Sequence, residues 1–584
     1  MAAALEHGRG KDFDLAALRE AVEKRGYIRE EGTRKLTSPG VLRCELGIVV
    51  AAHDGRGQQL PLNPDYRSAP TLSAEQAAAV KLILGSRDFI TLFRGSAGTG
   101  KSFTLREVTN GLRAAGHPVV VLAPQRQQVS DLCSDGLAAT TLSHCLQTKT
   151  LPPRAVVLVD ESGQIGGKQL SDLVTLVQKH DGRLILSGDT RQHGAVQASD
   201  ALRAIEEFSG LKAAVLQDIR RQDPALAKSE KERAFVTGYR QAVKAAAAGH
   251  VAESFERLDR LGCIREVTSH DRHAVLAREY VASLDRQERA LVVSQTWAEV
   301  NAVNEAIRAE LQKSGRLGSG VPLKTYQTID LDPAQKRDLR FYRQGQFAYM
   351  VQRYGRFAKG DLCPIVGTNE RGVVLLKNGR RSTMGYRHTH RLAVAAERET
   401  QLAPGDRLQL KFNAKSREGH GVANGELVTV RRVHADGALT VEDDRCTVKT
   451  LSPEQRLFNR GYAVTSYASQ GKTVDTVLLA DAACPAATNR NQWYVSISRA
   501  RKRVVVFTDN KAELRASIEQ SGDRGLALEM KFAAPAQTLR RRLLPKMPAW
   551  VQRLPLTAKH VGVREAAQRL TARQQASPKI TLSL

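Results

Sequence analysis

Aromatic side chains are scarce in this chain, at 5% of 584 positions with three tryptophans, and signs of export, membrane insertion or a metal centre are scarcer still. The seven cysteines include no C-x-x-C pair, which argues against a zinc ribbon and offers no disulfide framework. His388-Thr-His390 has no further ligand at a recognisable spacing. No apolar run approaches the roughly 18 residues of a membrane span, and no lipidation motif is present. The segment Met1–Gly10 lacks an apolar core of leader length, so the chain is expected in the cytoplasm. Acid is also short: 61 Asp and Glu stand against 88 Lys and Arg, a formal charge of +27 spread along the sequence. That imbalance implies a polyanionic partner, and without membrane segments nucleic acid is favoured. Base stacking would have to rest on few rings, with Phe412, Tyr462, Tyr467 and Trp493 the candidates. Backbone contacts, tolerant of sequence and sensitive to salt, should then dominate.

What is present begins at Phe89–Phe93, an apolar β-run that opens directly into Gly-x-x-x-x-Gly-Lys-Ser over residues 95–102, with a helical pattern from Phe103. Strand, loop and helix in that register make an anion site from backbone N–H groups and a helix N-terminus. Gly95, Gly98 and Gly100 permit close approach, with Thr99 between them. Lys101 would reach the β- and γ-phosphates of a nucleotide, and Ser102 would place its hydroxyl on Mg²⁺.

Such a loop alone leaves kinase, GTPase, transporter ATPase and helicase open. The following strands narrow the choice. Pro118–Pro124 is an apolar run ending in a turn, and Ala155–Val159 is another, ending in the paired carboxylates Asp160 and Glu161. Continuous β-branched runs predict a doubly wound parallel sheet with ligands beyond the strand C-termini. Asp160 would hold Mg²⁺ while Glu161 orients and deprotonates the attacking water; helix capping is the alternative use of these acids. A further strand, Arg183–Gly188, runs into Asp189-Thr-Arg-Gln192-His-Gly-Ala-Val.

From here the sequence resembles superfamily 1 helicases of RecD-like type, and in particular the helicase part of MobF-family conjugative relaxases. The Gly-Asp-Thr-Arg-Gln192 stretch is similar to the motif whose glutamine senses the γ-phosphate. Leu72-Ser-Ala-Glu-Gln76 resembles the adenine-reading motif, although Ser73-x-x-Gln76 is equally a capping box. Leu216-Gln-Asp-Ile-Arg-Arg221-Gln resembles the motif whose arginine reaches the γ-phosphate across a cleft, and Tyr494-Val-Ser-Ile-Ser-Arg499 the one that adds a second arginine. Taken singly, Arg221 and Arg499 could equally be surface arginines. The stretch Tyr462–Thr473 is similar to the motif joining ATP to DNA, which assigns Thr465, Tyr467, Ser469, Gln470 and Thr473 to DNA and Gly471 to the nucleotide. The family's usual histidine is replaced by Tyr467. The nicking domain of relaxases, with its catalytic tyrosines and histidine cluster, has no counterpart before Gln76, and the resemblance covers about residues 35–510.

The implied fold is α/β, with two RecA-like P-loop domains and a small SH3-like β-barrel region inserted in the second. Expected divisions are a lead-in over 1–70 with an amphipathic segment Phe13–Glu23, a first RecA-like domain over 71–222, and a connector with the start of the second over 223–339. The insertion then covers 340–455, the remainder of the second domain 456–512, and a basic, proline-broken extension 513–584. Turn signals such as Asn378-Gly, Pro404-Gly-Asp406 and Asn424-Gly mark the insertion, which is either a DNA grip or a spacer. The implied activity is an ATP-dependent, DNA-stimulated helicase moving 5′→3′ on single-stranded DNA at a duplex junction. Conjugative transfer, with a separate relaxase as partner, is the implied setting. A repair helicase and a DNA-binding accessory protein that no longer unwinds are the alternatives.

Overall fold

The computed structural model describes residues 35–531 apart from 196–198, 330, 333, 483–486 and 524, together with residues 20 and 23–29. Most of the segment Phe13–Glu23 and the basic tail beyond 531 lie outside the described residues. Among the described residues no helix is long and apolar enough to cross a membrane.

The first sheet has six parallel strands in the order Ala139–Thr141, Val119–Ala123, Val156–Val159, Arg183–Gly188, Ile90–Gly95 and Ala214–Leu216. Its central strands are buried on both faces, as their unbroken apolar runs require, and a separate apolar core packs on each face. The two edge strands are three residues long and carry too little pattern to be read from sequence. The lead-in holds more structure than expected. Ser38 caps, and Pro39 opens, the helix Pro39–Asp54, whose face of Leu42, Leu46, Val49 and Ala52 is buried. Part of that face meets Leu526–Leu528, so the chain returns to the first sheet's helical layer after completing the second.

The second sheet is also parallel, in the order Ala463–Thr465, Ala290–Ser294, Val474–Ala480, Ala500–Thr508 and Ile264–Glu266. It starts in sequence at Ile264, inside the stretch 223–339 expected to hold its beginning. The fold is therefore α/β with two parallel sheets, as the strand patterns implied.

Between Ser294 and Ala463 the chain leaves this sheet and builds, among the described residues, two larger antiparallel sheets and a two-stranded ribbon, Ala414–Lys415 with Gly421–Val422. Six strands run in the order Val321–Ile329, Leu392–Leu402, Gln346–Met350, Leu362–Asn369, Gly372–Lys377 and Arg380–Gly385. Five more run Val448–Leu451, Leu439–Asp443, Leu427–Val433, Arg407–Leu410 and Phe458–Arg460. The inserted strands thus span 321–460, wider than the expected 340–455, because Val321–Ile329 pairs along its whole length with Leu392–Leu402. At the Asn378-Gly379 turn both residues take positive φ, 50° and 72°, the geometry of a tight hairpin.

Asp406 ties the insertion to the second parallel sheet. Fully buried, it accepts hydrogen bonds from Arg308 (3.1 Å), Tyr462 (2.7 Å), Arg460 (3.4 Å) and the Ala403 amide (2.8 Å). Arg308 lies on the helix Trp297–Lys313. Removing the carboxylate strands the Arg308 guanidinium in a buried setting, and such losses cost about 3–5 kcal/mol. Asp406→Ala is accordingly expected to lower the unfolding free energy of the region around the insertion, read by urea titration, by about that amount, whereas Asp444→Ala, at a more exposed pair with Arg407, should change it by under about 1 kcal/mol.

Candidate functional site

The phosphate-loop motif sits where its sequence places it. Ile90–Gly95 delivers the chain to the sheet's C-terminal edge, and the helix Lys101–Ala114 begins at Gly100 without a side-chain cap, which leaves its first amides free for an anion. Gly98 and Gly100 have φ of 80° and 84°. A Cβ at Gly98 would stand 2.6 Å from Cβ of Arg221, and one at Gly100 would stand 2.7 Å from Nε2 of Gln76. Only glycine fits at both positions. The Gly98 carbonyl accepts from the amides of Arg220 (2.8 Å) and Arg221 (3.1 Å), so the loop is docked on the arginine segment through backbone alone.

Gln76 serves the loop in this structure. Its Oε1 accepts from the Ser73 amide in the capping box, and its Nε2 donates to the Thr99 carbonyl at 3.4 Å. Thr99 turns its hydroxyl to the Ser96 carbonyl at 2.9 Å. The Lys101 ammonium is buried with no hydrogen-bond acceptor and stands 3.8 Å from the Glu161 carboxylate. Burial alone would lower its pKa, but Glu161, Asp160 and Asp189 together hold it above the usual lysine value.

Val156–Val159 presents the two acids. Asp160 accepts from the Ser187 hydroxyl at 2.9 Å, and its carboxyl is raised to about 6, by burial first and then by Glu161. Glu161 adopts φ of 50°, a left-handed conformation that side chains other than glycine rarely take. That strain aims its carboxylate back toward Lys101 instead of along the strand.

Across the cleft, groups from the second parallel sheet complete the arrangement. Gln470 Nε2 reaches both Glu161 (3.5 Å) and Gln192 Oε1 (3.3 Å). Arg499, buried, donates to Gln192 Oε1 at 3.5 Å and to Val495 O at 2.9 Å. Arg221 donates to the Ser498 carbonyl at 2.6 Å, and its pKa falls to about 9 through burial and then through Arg499. Burial also lowers the pKa of Arg499, so two desolvated guanidiniums are poised for an added anion. The structure therefore brings Lys101, Asp160, Glu161, Gln192, Arg221, Gln470 and Arg499 into one cluster.

The other face differs from the expectation. Ser469 is buried and its hydroxyl donates to Ser466 O at 2.7 Å, so it braces the turn and does not face a strand. Gln470 points into the cleft and not toward the surface. Thr465 caps the short helix Ser466–Ser469, and Gly471 follows it in an exposed left-handed turn with φ 82°. Of the four rings expected to stack on bases, Trp493, Tyr462 and Phe412 are buried in cores; only Tyr467 is open, at 47% exposure. Its ring stacks on His193 at 3.8 Å, an imidazole that burial, followed by Arg499, pushes down to about 3. His193 follows Gln192 directly, and its position in the motif was the available signal. A second half-open ring, Trp297, went unread because it opens a helix; it lines a cavity of about 430 Å³ whose walls, among the described residues, carry Lys336, Lys359 and Lys411 and no carboxylate.

The residues fit a nucleotide triphosphate with a divalent cation. A buried ammonium lacks a hydrogen-bond acceptor, glycines cradle the space beside it, and Ser102 and Asp160 are hard oxygen donors. The acid is costly without such ligands. Because Asp160 is held near 6, ionising it above that pH disfavours the fold. Asp160→Asn should therefore stabilise the ligand-free protein at pH 8 by about 2 kcal/mol, after allowing for lost attraction to Lys101, with the gain shrinking as pH falls from 6 toward 4. Melting curves at pH 8 and 5 check this; lower stability of the variant at pH 8 would contradict the electrostatic assignment.

Residues 71–269 match the AAA domain family, and residues 460–507 match the UvrD-like helicase C-terminal domain. The chain is 24% identical over 562 residues to the multifunctional conjugation protein TraI of Escherichia coli K12, covering 85% of this chain and 31% of that protein. It is 24% identical over 472 residues to the conjugal transfer protein TraA of Rhizobium radiobacter, covering 78% of this chain and 34% of the relative. The chain thus spans about a third of the length of these curated relatives. The Pif1 helicase structure from Candida albicans is similar at 16% identity, covering 76% of this chain and 97% of that one, with a TM-score of 0.37. The chain accordingly carries an AAA domain and a UvrD-like helicase C-terminal domain, and is homologous to the TraI and TraA conjugation proteins.

Proposed function

We propose that this chain is an ATP-dependent helicase and translocase on single-stranded DNA, working 5′→3′ at a duplex junction during conjugative DNA transfer. One observation carries the reading: the cluster across the cleft, in which Gln192 of the first sheet accepts from both Gln470 and Arg499 of the second beside the phosphate loop. Such an arrangement makes the two sheets' separation depend on what occupies the loop.

In this reading ATP binds at Gly95, Gly98, Thr99, Gly100, Lys101 and Ser102, with Gln76 and Gly471 at its margins. Ser102 and Asp160 would hold Mg²⁺, which when bound supplies positive charge against the phosphates. Glu161 takes a proton from the attacking water, while Lys101, Arg221 and Arg499 stabilise charge on the transferred phosphoryl group. DNA runs over the outer side, where Tyr467 is open, Thr465 and Thr473 flank it and Trp297 lies beside lysines. The surplus positive charge supports sequence-tolerant backbone contact. The units are a first RecA-like domain over 71–222, a second over 223–320 and 461–512, and between the two parts of the second the inserted sheets, whose five-stranded part we read as an SH3-like grip. Arg445 of that part pairs with Asp131 of the first unit, which supports a role in enclosing the strand. Each DNA base-pair step costs on average about 1.4 kcal/mol to separate, within reach of one nucleotide hydrolysed per step. The names of the relatives support a conjugative setting, and a separate relaxase is the partner this reading would require.

Lys101→Ala is expected to abolish ATP hydrolysis and strand displacement while leaving oligothymidylate binding, read by fluorescence anisotropy, within about threefold of wild type. Displacement should be confined to duplexes with a 5′ tail. Normal unwinding by the variant would remove the assigned mechanism.

A further inference from the structure

We infer that Tyr494 is a positioning residue that sets Gln192 against the phosphate loop only when the two parallel sheets are apposed. This deepens, and rests on, the ATP-hydrolysing reading above. Tyr494 lies on the helix Arg490–Ile497 of the second unit and is 1% exposed. Its hydroxyl accepts from the Ala97 amide of the phosphate loop at 2.7 Å and donates to Asp189 Oδ2 at 3.0 Å. Both partners belong to the first unit and come from different strands of its sheet, so one oxygen bridges two catalytic segments and a second body.

The bridge governs an orientation. Asp189 Oδ2 also accepts from Gln192 Nε2 at 3.1 Å. With its amide nitrogen held there, Gln192 must turn Oε1 outward, which is the atom that Gln470 and Arg499 contact. If the carboxylate swings away, the Gln192 amide is free to flip and present a donor to two donors, and the cluster across the cleft is lost. The same helix fixes the other side of Gln192, because Asn491 Nδ2 donates to the Gln192 carbonyl at 3.1 Å. A tyrosine is suited to the place: its ring fills the second sheet's core while the hydroxyl spans into the first unit. Phenylalanine would keep the packing and lose only the bridge.

The test is steady-state ATP hydrolysis with saturating oligothymidylate for wild type, Tyr494→Phe, Gln192→Ala and the double variant. Tyr494→Phe is expected to lower kcat about tenfold or more while KM for ATP stays within about twofold. In the Gln192→Ala background the same change should cost nothing further, because the bridge acts through Gln192. A kcat for Tyr494→Phe equal to wild type, or an equal loss in both backgrounds, would overturn the inference while wild-type hydrolysis leaves the ATPase reading intact. A wild type that hydrolyses no ATP removes both. Should Tyr494→Phe not fold, Asp189→Asn weakens the same acceptor without touching the ring and must show the same dependence on Gln192, or the inference fails.

Discussion

Lys101, Arg221 and Arg499 share one water-poor cleft with Asp160, Glu161 and Asp189, and the relative placement of the two parallel sheets depends on keeping those charges balanced. Charges taken out of water are tolerated only with partners and hydrogen bonds. Here the partners come from both sheets: Arg499 and Gln470 from the second meet Gln192 and Glu161 of the first. The balance is incomplete. The Lys101 ammonium has no hydrogen-bond acceptor and burial lowers the pKa of both Arg221 and Arg499, so an added polyphosphate would be bound by groups already in place. Any change in the charge of that ligand must then be felt by both sheets.

The outer face is joined to this cleft by a single residue step. Gln192 points inward, and the next residue, His193, stacks on the exposed ring of Tyr467. The imidazole is neutral at ordinary pH, so it acts as a flat apolar support and carries no charge. The sequence resemblance leads one to expect histidine where Tyr467 stands, yet an imidazole remains in the stack, supplied from the other sheet. The insertion is tied to both units, by the buried Asp406 to the second sheet and by the more exposed Arg445 to the first unit.

Much of this was legible in the sequence, for reasons that differ by element. The phosphate loop and the Asp160-Glu161 pair were readable because glycine spacing and an apolar run ending in acids are local signals. The central strands of the first sheet were readable as unbroken β-branched runs. The three-residue edges Ala139–Thr141 and Ala214–Leu216, and Ile264–Glu266 at the edge of the second sheet, were not, since so short a segment has no period. The helix Pro39–Asp54 was missed although Ser38-Pro39 is a start signal, because its apolar face is shared among several contacts and weakly segregated. Side-chain direction was the main failure. Ser469, Trp493 and Tyr462 sit in the right motifs and turn inward, a matter decided by packing between elements far apart in sequence. Tyr494 was quoted within its motif without a role, since the partners of its hydroxyl are about 300 and 400 residues away.

The central claim is that occupancy of the DNA face and turnover in the cleft are coupled through the cluster on Gln192. The most direct measurement is the rate of ATP hydrolysis as oligothymidylate is titrated at low and high salt. The account expects a rise of at least tenfold at saturation, with the half-saturating concentration moving steeply upward as salt increases. Hydrolysis that proceeds at one rate with and without DNA would contradict it.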